Sequence, residues 1–511
     1  MKPLLASRLR QMKAAEIKAQ ERAERAPLGF ETNLNRKEKA MAATAVKSMA
    51  SRTGTAKPTV QTRSPNVLII LLDTASARFL SCYGCAARTS PRMDQLAAEG
   101  VRFAYCYANG PWTPPSHASL FTGLPSIVHQ MNHDHLNVRT REMHKRARNY
   151  GRFPTLASLL TENGYQTAGF CGNAWVGEKS NICYGFQFWD NLRRPDAGKG
   201  SPVKSPAPAF DRSTSATLEW FDSKYHPDQP YFAFVNYITP HLKRNPPLKY
   251  QKRFVKGRVP EYLHNISSRN CFAYIWNGWL KPQDIEPFKG LYAALIAQTD
   301  DQIASLLGEL SKRGLLDNTI VVICADHGDE NGEHNLLDHQ LCVYNTLIHV
   351  PLIIWHPKTI QAGRVEERPV QLSDLAPTIL NRVGLGNVRK QQKQMKGLDL
   401  LTEVSRQKRP RPIVSEHGVP RLIIRNALPD ITPEQYTPYL RRLKCIIYDG
   451  WKHIWSSNGR DELYNLIRDH GETKNLISRY PDRAKSLRAR LSRWVRSYGE
   501  ELERDKKTPR L

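Results

Sequence analysis

Two runs constrain the fold more than anything else in the chain: Asn66-Val-Leu-Ile-Ile-Leu-Leu-Asp73 and Thr319-Ile-Val-Val-Ile-Cys-Ala-Asp326. Each is continuously apolar, partly β-branched, and stops at a carboxylate. An alternating pattern would mark a strand with one wet face. A continuous one marks a strand covered on both faces, as in a parallel sheet between helices. Residues 231–237 and 350–355 read the same way. Helical patterns lie between, at 92–99, 155–163, 292–312 and 375–382, and Gly100, Gly164, Gly314 and Gly384 follow them where a helix end favours glycine. Strands alternating with helices predict an α/β domain on a large, mostly parallel sheet flanked by helices.

The texture changes at both ends. Residues 1–64 are rich in Ala, Lys, Arg, Glu and Thr, with Phe30 the only aromatic. They read as a basic, solvated extension with a polar helix at 13–25, and contact with an anionic membrane surface is the sharper expectation. The catalytic α/β domain is expected over 65–405. Residues 406–412 are basic and contain proline. Beyond them come short runs at 422–425 and 444–448, an Asp449-Gly450 turn, and a strand at 452–455. With an amphipathic basic helix at 481–503, residues 406–511 predict a small C-terminal antiparallel sheet plus helix.

Composition narrows the partners. The 511 residues carry 75 Lys plus Arg against 48 Asp plus Glu, a formal charge of +27. Such a field favours anionic small molecules, lipids or glycans; no motif points to specific nucleic acid binding. No stretch approaches 18 apolar residues. The nine cysteines are scattered, so neither a disulfide scaffold nor a structural zinc site is expected. The first 25 residues lack an apolar h-region, and five Glu fall within the first 40, so a cytoplasmic location is the expectation.

Open α/β sheets bind ligands outside the carboxyl ends of their strands. Parallel strands would therefore bring Asp73, Asp326 and the adjacent His327 to one edge, a set suited to a divalent metal. A third element is Asn109-Gly-Pro-Trp-Thr113-Pro-Pro-Ser-His117-Ala-Ser-Leu-Phe-Thr-Gly123. The two prolines fit a first helical turn and place Thr113 at the positive end of the helix dipole.

These elements, in this order, resemble the sulfatase-like hydrolases of the alkaline phosphatase superfamily. The resemblance also draws on 89–103, 153–167, Pro240-His241, Asp326-His-Gly-Asp329 with Gly332-Glu-His334 and Asp338-His339, and 463–476. It implies an alkaline phosphatase-like fold, a metal held by Asp73, Thr113, Asp326 and His327, and Thr113 as nucleophile. His339 or His241 is expected to protonate the leaving oxygen, with His117 on the anion and His334 orienting the loop. Sulfatases carry Cys or Ser at the position of Thr113 and Arg at that of His117. Thr113 cannot become formylglycine, so a phosphoester, monoester or diester, is the expected substrate of a covalent Thr mechanism. A sulfuric ester or a phospho-group transfer is the alternative. Thr74 replaces a frequent second Asp, and one ion is expected, manganese or zinc before magnesium or calcium.

Overall fold

The computed structural model describes residues 64–132, 150–192 and 211–511, apart from 393, 394, 405, 408, 409, 429 and 510. The expected helix at 13–25 and the N-terminal extension lie outside the described residues. Eight strands form the main sheet: β1 (Asn66–Leu72), β2 (Val101–Phe103), β3 (Gln166–Cys171), β4 (Phe188–Asp190), β5 (Tyr231–Tyr237), β6 (Thr319–Ala325), β7 (Leu352–Trp355) and β8 (Arg364–Glu366). Their order is β8-β2-β7-β6-β1-β5-β3-β4. Only β7 runs against its neighbours β6 and β2. Every residue of β5 and β6, and Val67–Leu72 of β1, is buried. The continuous apolar runs thus match strands with no wet face, each full side chain contributing about 1.5–3 kcal/mol on burial.

Helices α1 (Pro91–Glu99), α2 (Thr113–Thr122), α3 (Leu156–Glu162), α4 (Asp211–Ser223), α5 (Ile285–Lys312) and α6 (Leu375–Arg382) flank the sheet. Of the four predicted glycine stops, Gly164, Gly314 and Gly384 have positive φ. Gly100 does not. It is required for close approach, because a Cβ there would lie 2.5 Å from the Ile354 carbonyl oxygen.

β1 pairs in step with β6, from Asn66↔Thr319 to Leu72↔Ala325, and with β5 up to Leu72↔Tyr237. This shared register carries the next residue of each strand, Asp73 and Asp326, to the same edge.

Two local expectations are corrected. The run 350–355 is not one strand. Pro351 offers no N–H and divides it, so His349–Val350 pairs with Cys106–Tyr107 in a separate small sheet while β7 joins the main one. The run at 422–425 is helical, Arg421–Ala427, burying Ile423, Ile424 and Ala427. Three apolar residues cannot decide between helix and strand, and the buried positions here follow helical spacing. Residues 243–285 carry helices Leu248–Phe254, Glu261–Asn265 and Cys271–Trp276.

The C-terminal part is a four-stranded antiparallel sheet, β9 (Ile413–His417), β10 (Leu443–Tyr448), β11 (Trp451–Ser456) and β12 (Glu462–Asn465), covered by α7 (Pro481–Arg496). Asp449 and Gly450 both have positive φ, the two-residue turn their sequence predicted. α7 ends earlier than expected, before Gly499 with φ 77. Its buried Ala484, Leu487, Leu491 and Val495 pack with Ile127, Val414, Ile446 and Trp455.

Candidate active site

Asp73 follows β1 and donates its N–H to the Tyr237 carbonyl at 2.9 Å. The chain then turns through Thr74 at φ 64, a left-handed conformation unfavourable for a β-branched residue. Tyr292 of α5 fixes the turn: its hydroxyl donates to the Thr74 carbonyl and accepts from Ser76 N–H. Thr74 N–H in turn donates to Asp326 Oδ1 at 3.0 Å, and His327 N–H donates to the same oxygen at 2.9 Å. Two strand ends are thereby stitched into one cluster.

Thr113 is the first residue of α2, with Trp112 as N-cap and Pro114 and Pro115 in the first turn. All ten residues of α2 are buried, which holds its N-terminus rigidly against the sheet edge. Thr113 Oγ1 lies 3.3 Å from His327 Nε2 and accepts from Asn173 Nδ2 at 3.3 Å. Asn173 Nδ2 also donates to Asp73 Oδ2 at 2.7 Å. His327 Nδ1 donates to the Gly328 carbonyl at 2.9 Å, so its Nε2 lone pair faces Asp326 Oδ2, 3.3 Å away, and Thr113.

The electrostatics are those of an unpaired acidic pair. Burial, and then the charge of Asp326, push the Asp73 carboxyl up to about 6. Burial also raises Asp326, while it lowers His327 to about 3. Ligand atoms of Asp73, Asp326 and His327 all lie within 4.8 Å of one another. Asp73 Oδ1, Thr74 Oγ1 and Asp326 Oδ2 are buried without a hydrogen-bond partner. Oxygen atoms left in this way cost stability unless a cation or donor satisfies them. Two carboxylates, a neutral imidazole lone pair and a hydroxyl are a donor set that fits a divalent metal.

The predicted histidines divide into two groups. His339 packs on His327 with ring centres 4.5 Å apart, and His241 meets His339 edge-on at 5.5 Å. His241 is half-buried and donates Nδ1–H to the Leu242 carbonyl at 2.7 Å. Burial alone would lower His339, but Asp338 and Asp329 overcome it and hold the ring well above its usual value. His117 stands beside Asp326, its Nδ1 3.6 Å from Oδ2. It is fully buried, donates Nδ1–H to the Thr113 carbonyl at 3.0 Å, and takes Asn236 Nδ2 on Nε2 at 3.3 Å. Both nitrogens have partners inside the protein, and the Nδ1 bond holds the start of α2. His334 bridges Glu330 Oε1 and the Gly471 carbonyl, each at 3.0 Å, which ties its loop to the C-terminal part.

Sequence reasoning missed Asn173, Asn236, Tyr292 and Arg244. Asn173 had a usable signal, as a polar residue two positions past the carboxyl end of β3. Asn236 is a buried amide inside an apolar strand. Arg244 and Tyr292 carry no local pattern at all.

A strand-edge cluster of two carboxylates, an imidazole and a helix-start hydroxyl defines the ester hydrolases of the alkaline phosphatase-like fold. Residues 65–385 match the model of the Sulfatase family, and the chain belongs to that family of hydrolases. Arylsulfatase K of Mus musculus is 23% identical over 487 residues, spanning 88% of this chain and 83% of its own length. The Delta 4,5-hexuronate-2-O-sulfatase of Bacteroides thetaiotaomicron is 26% identical over 450 residues, spanning 81% and 84%. Among solved structures, BT4656 in complex with its substrate D-glucosamine-2-N,6-O-disulfate matches with TM-score 0.66 and 20% identity, covering 86% of this chain and 100% of that one. The phosphonate monoester hydrolase of Agrobacterium radiobacter matches with TM-score 0.61 and 20% identity, covering 85% and 96%. These names point to sulfuric esters more than to the phosphoesters that Thr113 led the sequence reading to expect.

Proposed function

We propose that the chain hydrolyses a sulfuric ester at this edge, with Asp73, Asp326, His327 and Thr113 holding one divalent cation. The observation that carries it is the set of partnerless buried oxygens around Thr113, on Asp73, Thr74 and Asp326. Mixed oxygen and nitrogen donors favour manganese or zinc over calcium. When bound, the cation supplies Lewis acidity, which lowers the pKa of a nearby hydroxyl and offsets charge on the ester oxygens. Asn173 holds Thr113 Oγ1 by donating to it, and the start of α2 stabilises the alkoxide. Thr113 Oγ1, its proton lost to solvent, attacks sulfur, the bond from sulfur to the leaving alcohol breaks, and His339 or His241 gives that oxygen its proton. Water then returns a proton to that histidine and attacks sulfur through its oxygen, the bond from sulfur to Thr113 Oγ1 breaks, and hydrogen sulfate leaves, losing its proton to solvent.

Thr113 itself favours a second reading. Its methyl group bars formylglycine, which suits a phosphoester, and phosphonate monoester hydrolases share the fold. Matched 4-nitrophenyl sulfate, phosphate, phosphodiester and phosphonate esters separate the two. The sulfate ester is expected to turn over fastest with manganese or zinc, and Thr113→Ala to lose roughly 10³-fold or more with the fold intact. A larger kcat/KM on a phosphorus ester installs the second reading; wild-type turnover by Thr113→Ala removes the covalent step from both.

A further inference from the structure

Among the described residues two clusters of side chains have metal-ligand spacing: Asp73-Asp326-His327, and His327-Asp329-His339. The second is already closed by a cation of the protein. Asp329 Oδ2 accepts from Arg244 Nη2 at 3.2 Å, and Asp329 Oδ1 accepts from His339 Nδ1 at 3.1 Å. Arg244 and Asp329 have no exposed side-chain surface. The guanidinium lies 4.2 Å from the ring centre of Phe288 and 4.5 Å from that of Tyr292. Its carbonyl accepts from His264 Nδ1 at 2.9 Å.

This is an expensive arrangement for a merely structural pair. Arg244 Nε and Nη1 are buried without partners, so the guanidinium is held by stacking and by one carboxylate rather than by a saturated network. The arrangement gains its meaning at the other end of Asp329. His339 stands between Asp338 and Gln340, both with positive φ, so its backbone is set by the loop. The ring torsion is what remains to be fixed. Asp338 Oδ1 lies 2.6 Å from Nδ1 and Asp329 Oδ1 lies 3.1 Å from it. Asp338 shares the loop of His339 and accepts from Cys271 Sγ at 3.7 Å, whereas Asp329 is held by Arg244, which lies outside that loop.

We propose that Arg244 is a built-in cation in the place of a second metal ion, a positioning residue that fixes Asp329 and thereby aims His339 at the leaving oxygen of the ester. The inference rests on the reading of His339 as donor to that oxygen. A displacement of about 1 Å in such a donor costs on the order of 10²-fold in rate. The cost falls where the donor matters, on esters of poorly stabilised leaving groups, and spares 4-nitrophenyl esters, whose leaving oxygen needs little help.

The test compares wild type, Arg244→Met, Asp329→Asn and the double variant on a 4-nitrophenyl ester and on an alkyl ester of the same acid. Arg244→Met leaves a buried carboxylate unpaired; Asp329→Asn keeps the volume, and the double variant removes both charges, so these two carry the test if the first does not fold. The expected result is a fall in kcat of about 10²-fold on the alkyl ester, a much smaller fall on the 4-nitrophenyl ester, and an unchanged KM. An equal loss on both esters, or no loss on either, overturns the proposal. If wild type hydrolyses none of these esters, the function reading is what has failed. The proposal is then read from proton NMR, as the downfield His339 Nδ1–H resonance identified by its loss in His339→Gln. That resonance is expected to shift in Asp329→Asn and in the double variant, and an unmoved resonance overturns the proposal.

Discussion

Thr113 draws its surroundings from three segments far apart in the chain: Asn173 after β3, His327 after β6, and His117 within its own helix. The groups that bear the chemistry were legible because each ends a local pattern. Asp73 and Asp326 stop apolar runs, and Thr113 precedes two prolines. Those that hold them were harder to read: Asn173 shows only as a polar residue just past the end of β3, and Tyr292 and Arg244 act across the fold and leave no trace in spacing. The acidic pair yields a prediction with two signs. Burial raises both carboxyls in the metal-free protein, and the charge of Asp326 adds to the rise at Asp73. Asp326→Asn keeps an acceptor for the N–H groups of Thr74 and His327 but removes one charge. Elemental analysis is expected to show loss of the bound cation, while the metal-free variant melts above metal-free wild type. Retained metal at full occupancy contradicts the ligand set.

β1, β5, β6, α1, α3 and α6 were read from the sequence with their ends nearly in place, because a buried parallel strand and a capped helix each have a period or a stop signal, whereas α5 begins well before the expected 292 and α4 and β3 were not anticipated. Short elements escaped. Pro351 splits a run that hydropathy alone joins, and Arg421–Ala427 declares its helical face only once the core is known. One element is capped by another. Asp300 of α5 accepts the N–H groups of Arg92 and Met93 at 2.8 and 2.9 Å, closing the first turn of α1. Burial lifts its carboxyl to about 6, the two N–H bonds opposing the shift. A folded pKa above the unfolded one means the fold binds this proton more tightly. The associated stability is present below about pH 4 and is lost as pH rises through 6, in all about 2–3 kcal/mol. Urea unfolding from pH 4 to 7 is expected to show that decline in wild type, and a flatter profile in Asp300→Asn.

A buried ion pair in the C-terminal part reaches the chain that follows the site. Lys452 of β11 meets Glu472 at 2.7 Å, both essentially without exposure, and Lys452 also donates to Asn345 Oδ1 at 3.2 Å in the segment following the site loop. The C-terminal sheet therefore braces the chain that carries Asp326 to His339. Lys452→Met is expected to leave Glu472 charged and alone and to cost about 3–5 kcal/mol in urea unfolding, against about 1 kcal/mol or less for an exposed pair such as Arg483 with Asp449. A loss below 1 kcal/mol contradicts the brace.

The in-step register of β1 and β6 has a kinetic consequence. The bond from Thr74 to Asp326 spans 252 residues of chain, and that from Asn173 to Asp73 spans 100. Closing such loops is slow, and parallel pairing between distant strands forms late. During synthesis Asp73 emerges long before Asp326 exists, so no partial chain can hold the cation as the finished edge would. Capture of the proposed cation therefore has to follow the pairing of β1 with β6 and cannot nucleate it.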